Sequence, residues 1–218
     1  MNYNFDWSAV TSNATLILAA LGMTFKVSIV AEILALILGL IVALARVQPL
    51  SLFRAPAIAF IELFRSVPLL VLLIWIYYGL PIVANLDISP FTAGVVGLGL
   101  LYGANIAEVF RSGLQAVAKG QREAAMTLGF SRSKTAILIT IPQATRIVAP
   151  ALANTYVSMM KDATLVSVVG LVEVMRMAQT VVAETFRPFE VYTFVALIYL
   201  VLTIALGRVV DYLEYRNT

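Results

Sequence analysis

Five long apolar runs dominate the chain, at approximately 15–45, 57–80, 92–110, 147–170 and 192–210. A helix rising about 1.5 Å per residue needs roughly 20 apolar residues to cross a hydrocarbon core of about 30 Å. Each run is close to that length or longer, so the chain is expected to be an all-α, polytopic membrane protein with five transmembrane helices in one transmembrane domain spanning 1–218. Composition agrees: 61% of residues are hydrophobic and 12% charged, whereas soluble domains average about 45–50% apolar and about 25% charged. The first run is long enough to tilt or to project beyond the bilayer. The stretch before it carries Asp6 and no Lys or Arg, unlike the basic front of a cleaved signal peptide, so the first helix is expected to be retained.

The cations fix an orientation. Cytoplasmic loops are enriched in Lys and Arg. If successive loops alternate across the membrane, one side holds Arg46, Arg54, Arg65, Arg111, Lys119, Arg122, Arg132, Lys134, Arg146, Arg208 and Arg216, and the other only Arg176 and Arg187. The N-terminus is therefore expected outside and the C-terminus in the cytoplasm. The pI near 9.3 follows from this asymmetry and calls for no nucleic acid.

Absent residue types exclude other chemistry. The chain has no Cys and no His, which removes Ser-His hydrolysis and most zinc enzymes, since these need an imidazole base or imidazole and thiolate ligands. No metal ligands and no catalytic residues are expected. No Gly-x-x-x-x-Gly-Lys-Ser/Thr run is present, so the chain has no phosphate cradle of that kind.

The segment 111–146 is expected to face the cytoplasm with helices of its own. Gly120 offers a break, residues 121–128 favour helix, and Gly129 supplies a stop. A second short helix from Ser131 to Ile139 is expected to end at Pro142. Within this loop the sequence reads Glu123-Ala124-Ala125, three residues, Gly129, nine residues, then Ile139-Thr140-Ile141-Pro142.

That pattern resembles the EAA loop of ATP-binding-cassette importer permeases, with Ile141 where the family pattern has Leu. Neighbouring stretches narrow the resemblance to polar amino acid permeases, the group with histidine and glutamine importers: Arg111-Ser112-Gly113-Leu114-Gln115, Phe64-Arg65-Ser66-Val67-Pro68-Leu69-Leu70, Tyr77-Tyr78-Gly79-Leu80-Pro81 and Lys161-Asp162-Ala163-Thr164-Leu165-Val166. The likeness runs from about residue 15 to the end. It departs at Ser66-Val67-Pro68, where members often have Gly-Thr-Pro.

The resemblance implies a bacterial cytoplasmic (inner) membrane permease moving a polar amino acid by alternating access. Glu123, Ala124, Ala125, Gly129 and Pro142 would form a coupling helix between the third and fourth spans. Implied partners are two cytoplasmic ATPase subunits, a second permease subunit (the same chain or a homologue), an extracytoplasmic amino-acid-binding protein and the lipid bilayer. No cofactor would be held by this chain, with ATP and Mg on the ATPase. A plain amphipathic connector on the membrane surface is the bland reading of residues 121–129.

A substrate path is suggested by the fourth span. Asn154, Thr155, Ser158, Lys161 and Asp162 share one helical stripe, and such a stripe is costly against lipid. A zwitterionic amino acid needs a cation and acceptors, which Lys161 and Asp162 could supply; alternatively both pair with other helices. Arg65 and Ser66 beside Pro68 are candidates for the same cavity, with Pro68 kinking the second helix or serving only packing.

Glu62/Arg65 and Glu108/Arg111 repeat an i, i+3 pair able to bridge on one face. Lys26 and Glu32 lie about 120° apart on the first helix; Lys26 is expected near the outer headgroups and Glu32 against protein. The competing function is an ion-gradient-driven secondary carrier using Glu32, Lys161 and Asp162.

Overall fold

The computed structural model describes residues 3–48 and 50–217, with the side chains beyond 212, Arg216 among them, outside the description. The described residues form helices with short connections. In order they are α1 (Ser8–Ala19), α2 (Leu21–Arg46), α3 (Ser51–Ser66), α4 (Leu69–Ile74), a π-turn (Trp75–Gly79), α5 (Leu80–Ala84), α6 (Pro90–Ala116), α7 (Lys119–Thr127), α8 (Arg132–Thr135), a second π-turn (Ala136–Thr140), α9 (Ile141–Asp162), a 3-10 segment (Ala163–Val169), α10 (Val174–Thr185) and α11 (Pro188–Asn217).

Four stretches are long and apolar enough to cross a membrane, Ser8–Arg46, Pro90–Ala116, Arg132–Val169 and Pro188–Tyr212. A fifth span exists if Ser51–Ser66 and Leu69–Ala84 count as one path bent by 103°. The expected second helix over 57–80 is therefore not continuous. Pro68 lacks an N–H and forces the residue before it out of the helical region; Val67 is extended at φ −86° and ψ 127°, and the chain turns there instead of merely kinking.

Two other prolines behave differently. The expected helix end at Pro142 does not occur: α8, the π-turn and α9 run on through it. Each π-turn closes just before a proline, Gly79 before Pro81 and Thr140 before Pro142. A proline ring clashes with the carbonyl one turn back, and widening that turn by a residue relieves the clash without ending the helix.

The central layer is α2 against α6, with α9 packed against α6 and also touching α2. Val27, Ala31 and Ala35 of α2 pack with Leu98, Tyr102 and Ile106 of α6, Leu73 of α4, and Met159 and Val166 beyond. The close approach needs small residues: a Cβ on Gly39 would sit 2.6 Å from Ile106 Cγ2. A second cluster joins α1, α10 and α11 through Ile17, Val174, Ala178, Val181 and Val191.

The helix α10 was not expected. Its N-terminus is capped by buried Glu173, whose Oε1 accepts from Arg176 N at 2.8 Å and whose Oε2 accepts from Met175 N at 2.9 Å. The N-terminal segment is tied down as well: Tyr3 donates its hydroxyl to Glu190 Oε2 at 2.5 Å, Asp6 N donates to Glu190 Oε1 at 2.8 Å, and Arg187 Nη1 donates to Asn4 O at 2.6 Å.

Candidate functional site

The loop 111–146 begins inside α6 and ends inside α9, leaving α7 and α8 as a compact pair between two spans. The Gly129 stop has a definite mechanism. After α7 the chain enters the left-handed region at Gly129, φ +84°, with Gly129 N donating to Met126 O at 3.0 Å and Phe130 N to Ala125 O at 3.1 Å. These are the paired bonds that close a helix through a left-handed glycine. Ser131 Oγ then caps α8 by accepting from Lys134 N at 3.3 Å.

This arrangement divides the motif residues. Ala125 is 2% exposed on a helix that packs against α8 and the second π-turn, while Glu123, Ala124 and Gly129 are exposed. Leu128 is 79% exposed, and Met126, Phe130, Ile137, Leu138 and Ile141 are exposed with it. Pro142 is exposed in the first turn of α9. Small residues beside uncovered large apolar ones make a surface suited to a partner protein.

Along α9, Asn154, Ser158 and Lys161 are exposed and Thr155 half-exposed. The polar stripe thus looks away from this chain's own core, toward whatever lies beyond the subunit. Asp162 departs from it. It is half-buried, and its Oδ2 accepts the Tyr102 hydroxyl of α6 at 2.8 Å. Lys161 O accepts from Thr164 Oγ1 at 2.8 Å, stitching the α9 end to the 3-10 segment. Tyr102, invisible as a site residue in the sequence, is what divides the neighbouring Lys161 and Asp162 between an outward and an inward direction.

Arg65 and Ser66 end α3 and are both exposed. Arg65 reaches a cavity of about 440 Å³ between α3, α6 and α9, walled by Asn105, Glu108, Ser112, Gly113 and Ala151 among others. Lys161 and Asp162 do not line it. The two repeated pairs separate here: Glu108 bonds Arg111 Nε at 2.7 Å and also pairs with Arg46, whereas Glu62 and Arg65 form no ion pair among the described residues. Lys26 lies 5.2 Å from the Phe91 ring centroid near the start of α6. Glu32 is half-buried with one carboxylate oxygen unpartnered among the described residues.

Comparison with known proteins gives this geometry a context. Residues 35–218 match the family described as binding-protein-dependent transport system inner membrane component. The glutamine transport system permease protein GlnP of Escherichia coli (strain K12) is 36% identical over 213 residues, 97% of each chain. The probable glutamine ABC transporter permease protein GlnM of Bacillus subtilis (strain 168) is 40% identical over 193 residues, 88% of this chain and 89% of the relative. The arginine transport system permease protein ArtQ of the same organism is 36% identical over 211 residues, 95% and 96% of the two chains.

A crystal structure of an amino acid ABC transporter with histidines superposes at a TM-score of 0.94 with 34% identity, covering 98% of this chain and 100% of that one. An inward-facing MetNI methionine ABC transporter shares the fold at a TM-score of 0.73 and 18% identity, covering 93% and 94%. The gradient-driven carrier finds no support among these relatives. The chain belongs to the family of binding-protein-dependent transport system inner membrane components, the membrane permease subunits of ATP-binding-cassette importers.

Proposed function

We propose that this subunit moves a polar amino acid across the bacterial cytoplasmic membrane, with α7 as the coupling helix on which a cytoplasmic ATPase subunit docks. The observation that carries the reading is the division of the motif on α7: Ala125 turned inward, Glu123, Ala124 and Gly129 outward, on a paired-bond turn that fixes their direction. Pro142 extends the element by widening a turn and letting α8 run into α9, so a push on α7, passed across the Gly129 turn to α8, reaches the polar stripe along the helical path from α8 through α9.

In this reading the stripe of Asn154, Thr155, Ser158 and Lys161 faces a second permease subunit, and the substrate passes between the two. Lys161 supplies the cation for the substrate carboxylate, and Asp162, held by Tyr102, positions it. Arg65 and Ser66 border the cytoplasmic exit. An extracytoplasmic binding protein delivers the amino acid, two ATPase subunits bind ATP and Mg, and nucleotide binding turns the cavity outward. The N-terminus lies outside and the C-terminus in the cytoplasm. Relatives that carry glutamine and arginine support the amino acid class.

The test is uptake of labelled amino acids into liposomes holding the full transporter, with and without internal ATP. ATP-dependent accumulation that is lost in Gly129→Asp, with the protein still inserted, is the expected result. Accumulation independent of ATP overturns it.

A further inference from the structure

Between α7 and α8 lies a second hollow, about 410 Å³, walled by Arg122 and Met126 of α7, Arg132 and Thr135 of α8, and Ala136 and Thr140 of the π-turn. Its charge is one-sided. From 117 to 146 the chain carries Lys119, Arg122, Arg132, Lys134 and Arg146 against the single acid Glu123, and none of these makes an ion pair among the described residues. Arg122 is half-buried and anchored through Nη2 to Leu114 O, yet its buried Nε has no partner among the described residues. Thr135 already donates its hydroxyl to Ser131 O at 3.0 Å. The unused donors here are guanidinium groups.

We infer that this hollow receives an acidic side chain of the docking ATPase subunit, so that the permease presents a basic receptor beside the coupling helix and the partner supplies the carboxylate. The inference rests on α7 being the coupling helix. A planar guanidinium matches a carboxylate in geometry as well as charge, and Arg122 and Arg132 both line the hollow. Membrane topology explains why cations lie on this side. It does not explain two guanidiniums facing one cavity.

An anionic lipid headgroup is the competing occupant, and α7 argues against it. A helix lying on lipid presents large apolar or aromatic residues on its inner face, whereas α7 reads Lys-Gly-Gln-Arg-Glu-Ala-Ala-Met-Thr and turns Glu123 outward. An exposed carboxylate is repelled by an anionic leaflet.

The experiment measures the affinity of the purified ATPase subunit for the permease assembly in nanodiscs, with and without phosphatidylglycerol, across a salt series. Arg132 is exposed in the first turn of α8, where an acid suits the helix N-terminus, so Arg132→Glu should fold. It is expected to raise Kd by about tenfold at low salt, with the gap to wild type closing as salt rises, while Arg132→Lys, which keeps the charge but loses the planar fork, falls between the two. Unchanged Kd in Arg132→Glu overturns the inference, as does an effect seen only when phosphatidylglycerol is present. Gly129→Asp separates the two levels. If it abolishes binding while Arg132→Glu does not, the coupling reading stands and the acidic receptor fails; if neither variant alters binding, both fail.

Discussion

The Tyr102 hydroxyl donates to Asp162 Oδ2 at 2.8 Å, joining the middle of α6 to the last residue of α9 across a separation of 60 residues. Tyr102 is 5% exposed and belongs to the main core. Removing its hydroxyl leaves a half-buried acceptor without its donor, at a cost of about 1–3 kcal/mol. Tyr102→Phe is therefore expected to lower the unfolding midpoint in detergent and to slow transport. Asp162→Asn, whose amide oxygen still accepts, should lose less. Equal losses in both variants would show that the charge, and not the hydrogen bond, holds the α9 end.

Lys161, next in the chain but exposed, should behave in the opposite manner. It packs no core and makes no ion pair among the described residues. Lys161→Ala is expected to leave the unfolding free energy within about 0.5 kcal/mol of wild type while impairing uptake. Normal uptake kinetics in the stable variant would remove Lys161 from the substrate path.

The α6–α9 crossing tolerates no side chain at Gly113, where a Cβ would collide with Val148 Cγ1. Gly113→Ala must push the helices apart, an overpacking of roughly 1–3 kcal/mol. Val148→Ala removes the colliding methyl, so the double variant should recover much of that loss. Thermal unfolding of the two single variants and the pair measures the coupling. Strict additivity would mean that the contact relaxes elsewhere.

The repeated Glu and Arg pairs should differ in the same assay. Glu108 holds both Arg46 and Arg111 with only 18% of its side-chain surface exposed, whereas Glu62 is exposed and unpaired among the described residues. Glu108→Gln is expected to cost about 1–3 kcal/mol because Arg46 loses its counter-charge while partly buried, and Glu62→Gln close to nothing. Comparable effects would indicate that Glu62 finds a partner in the assembled transporter.

That contrast marks the limit of what sequence pattern conveys. The apolar runs, the EAA spacing and the Gly129 stop are local signals, and local physics decides them. Spacing alone makes Glu62/Arg65 and Glu108/Arg111 equivalent; the fold distinguishes them by closing Glu108 onto both Arg111 and Arg46 while Glu62 and Arg65 stay unbridged among the described residues. Pro68 and Pro142 both read as interruptions. One turns the chain by 103° and the other is absorbed into a widened turn, and the difference lies in what packs around each. Tyr102 has no motif to announce it. The helix α10 was missed because twelve residues with Arg176, Gln179 and Glu184 among them resemble a polar connection, although Glu173 sits where a capping acid would.

Glu173 carries the pH dependence. Burial pushes its carboxyl up from 4.5 to about 7, against the opposing pull of the Met175 and Arg176 N–H groups; Tyr199 of α11 is the titratable group that faces it. An acid whose pKa is raised on folding is protonated in the folded protein over a range where the unfolded chain has released the proton. Between about pH 4.5 and 7 the folded state therefore binds more protons, and stability falls as pH rises through this window, then levels off above it. The full change from this one group is roughly 3 kcal/mol. Denaturant unfolding in detergent at a series of pH values should show that slope in the wild type and a flatter profile in Glu173→Gln, whose amide does not titrate. A slope that survives the substitution would assign the pH dependence to another group, and would leave Glu173 as a cap ionised throughout, its two N–H bonds outweighing its burial.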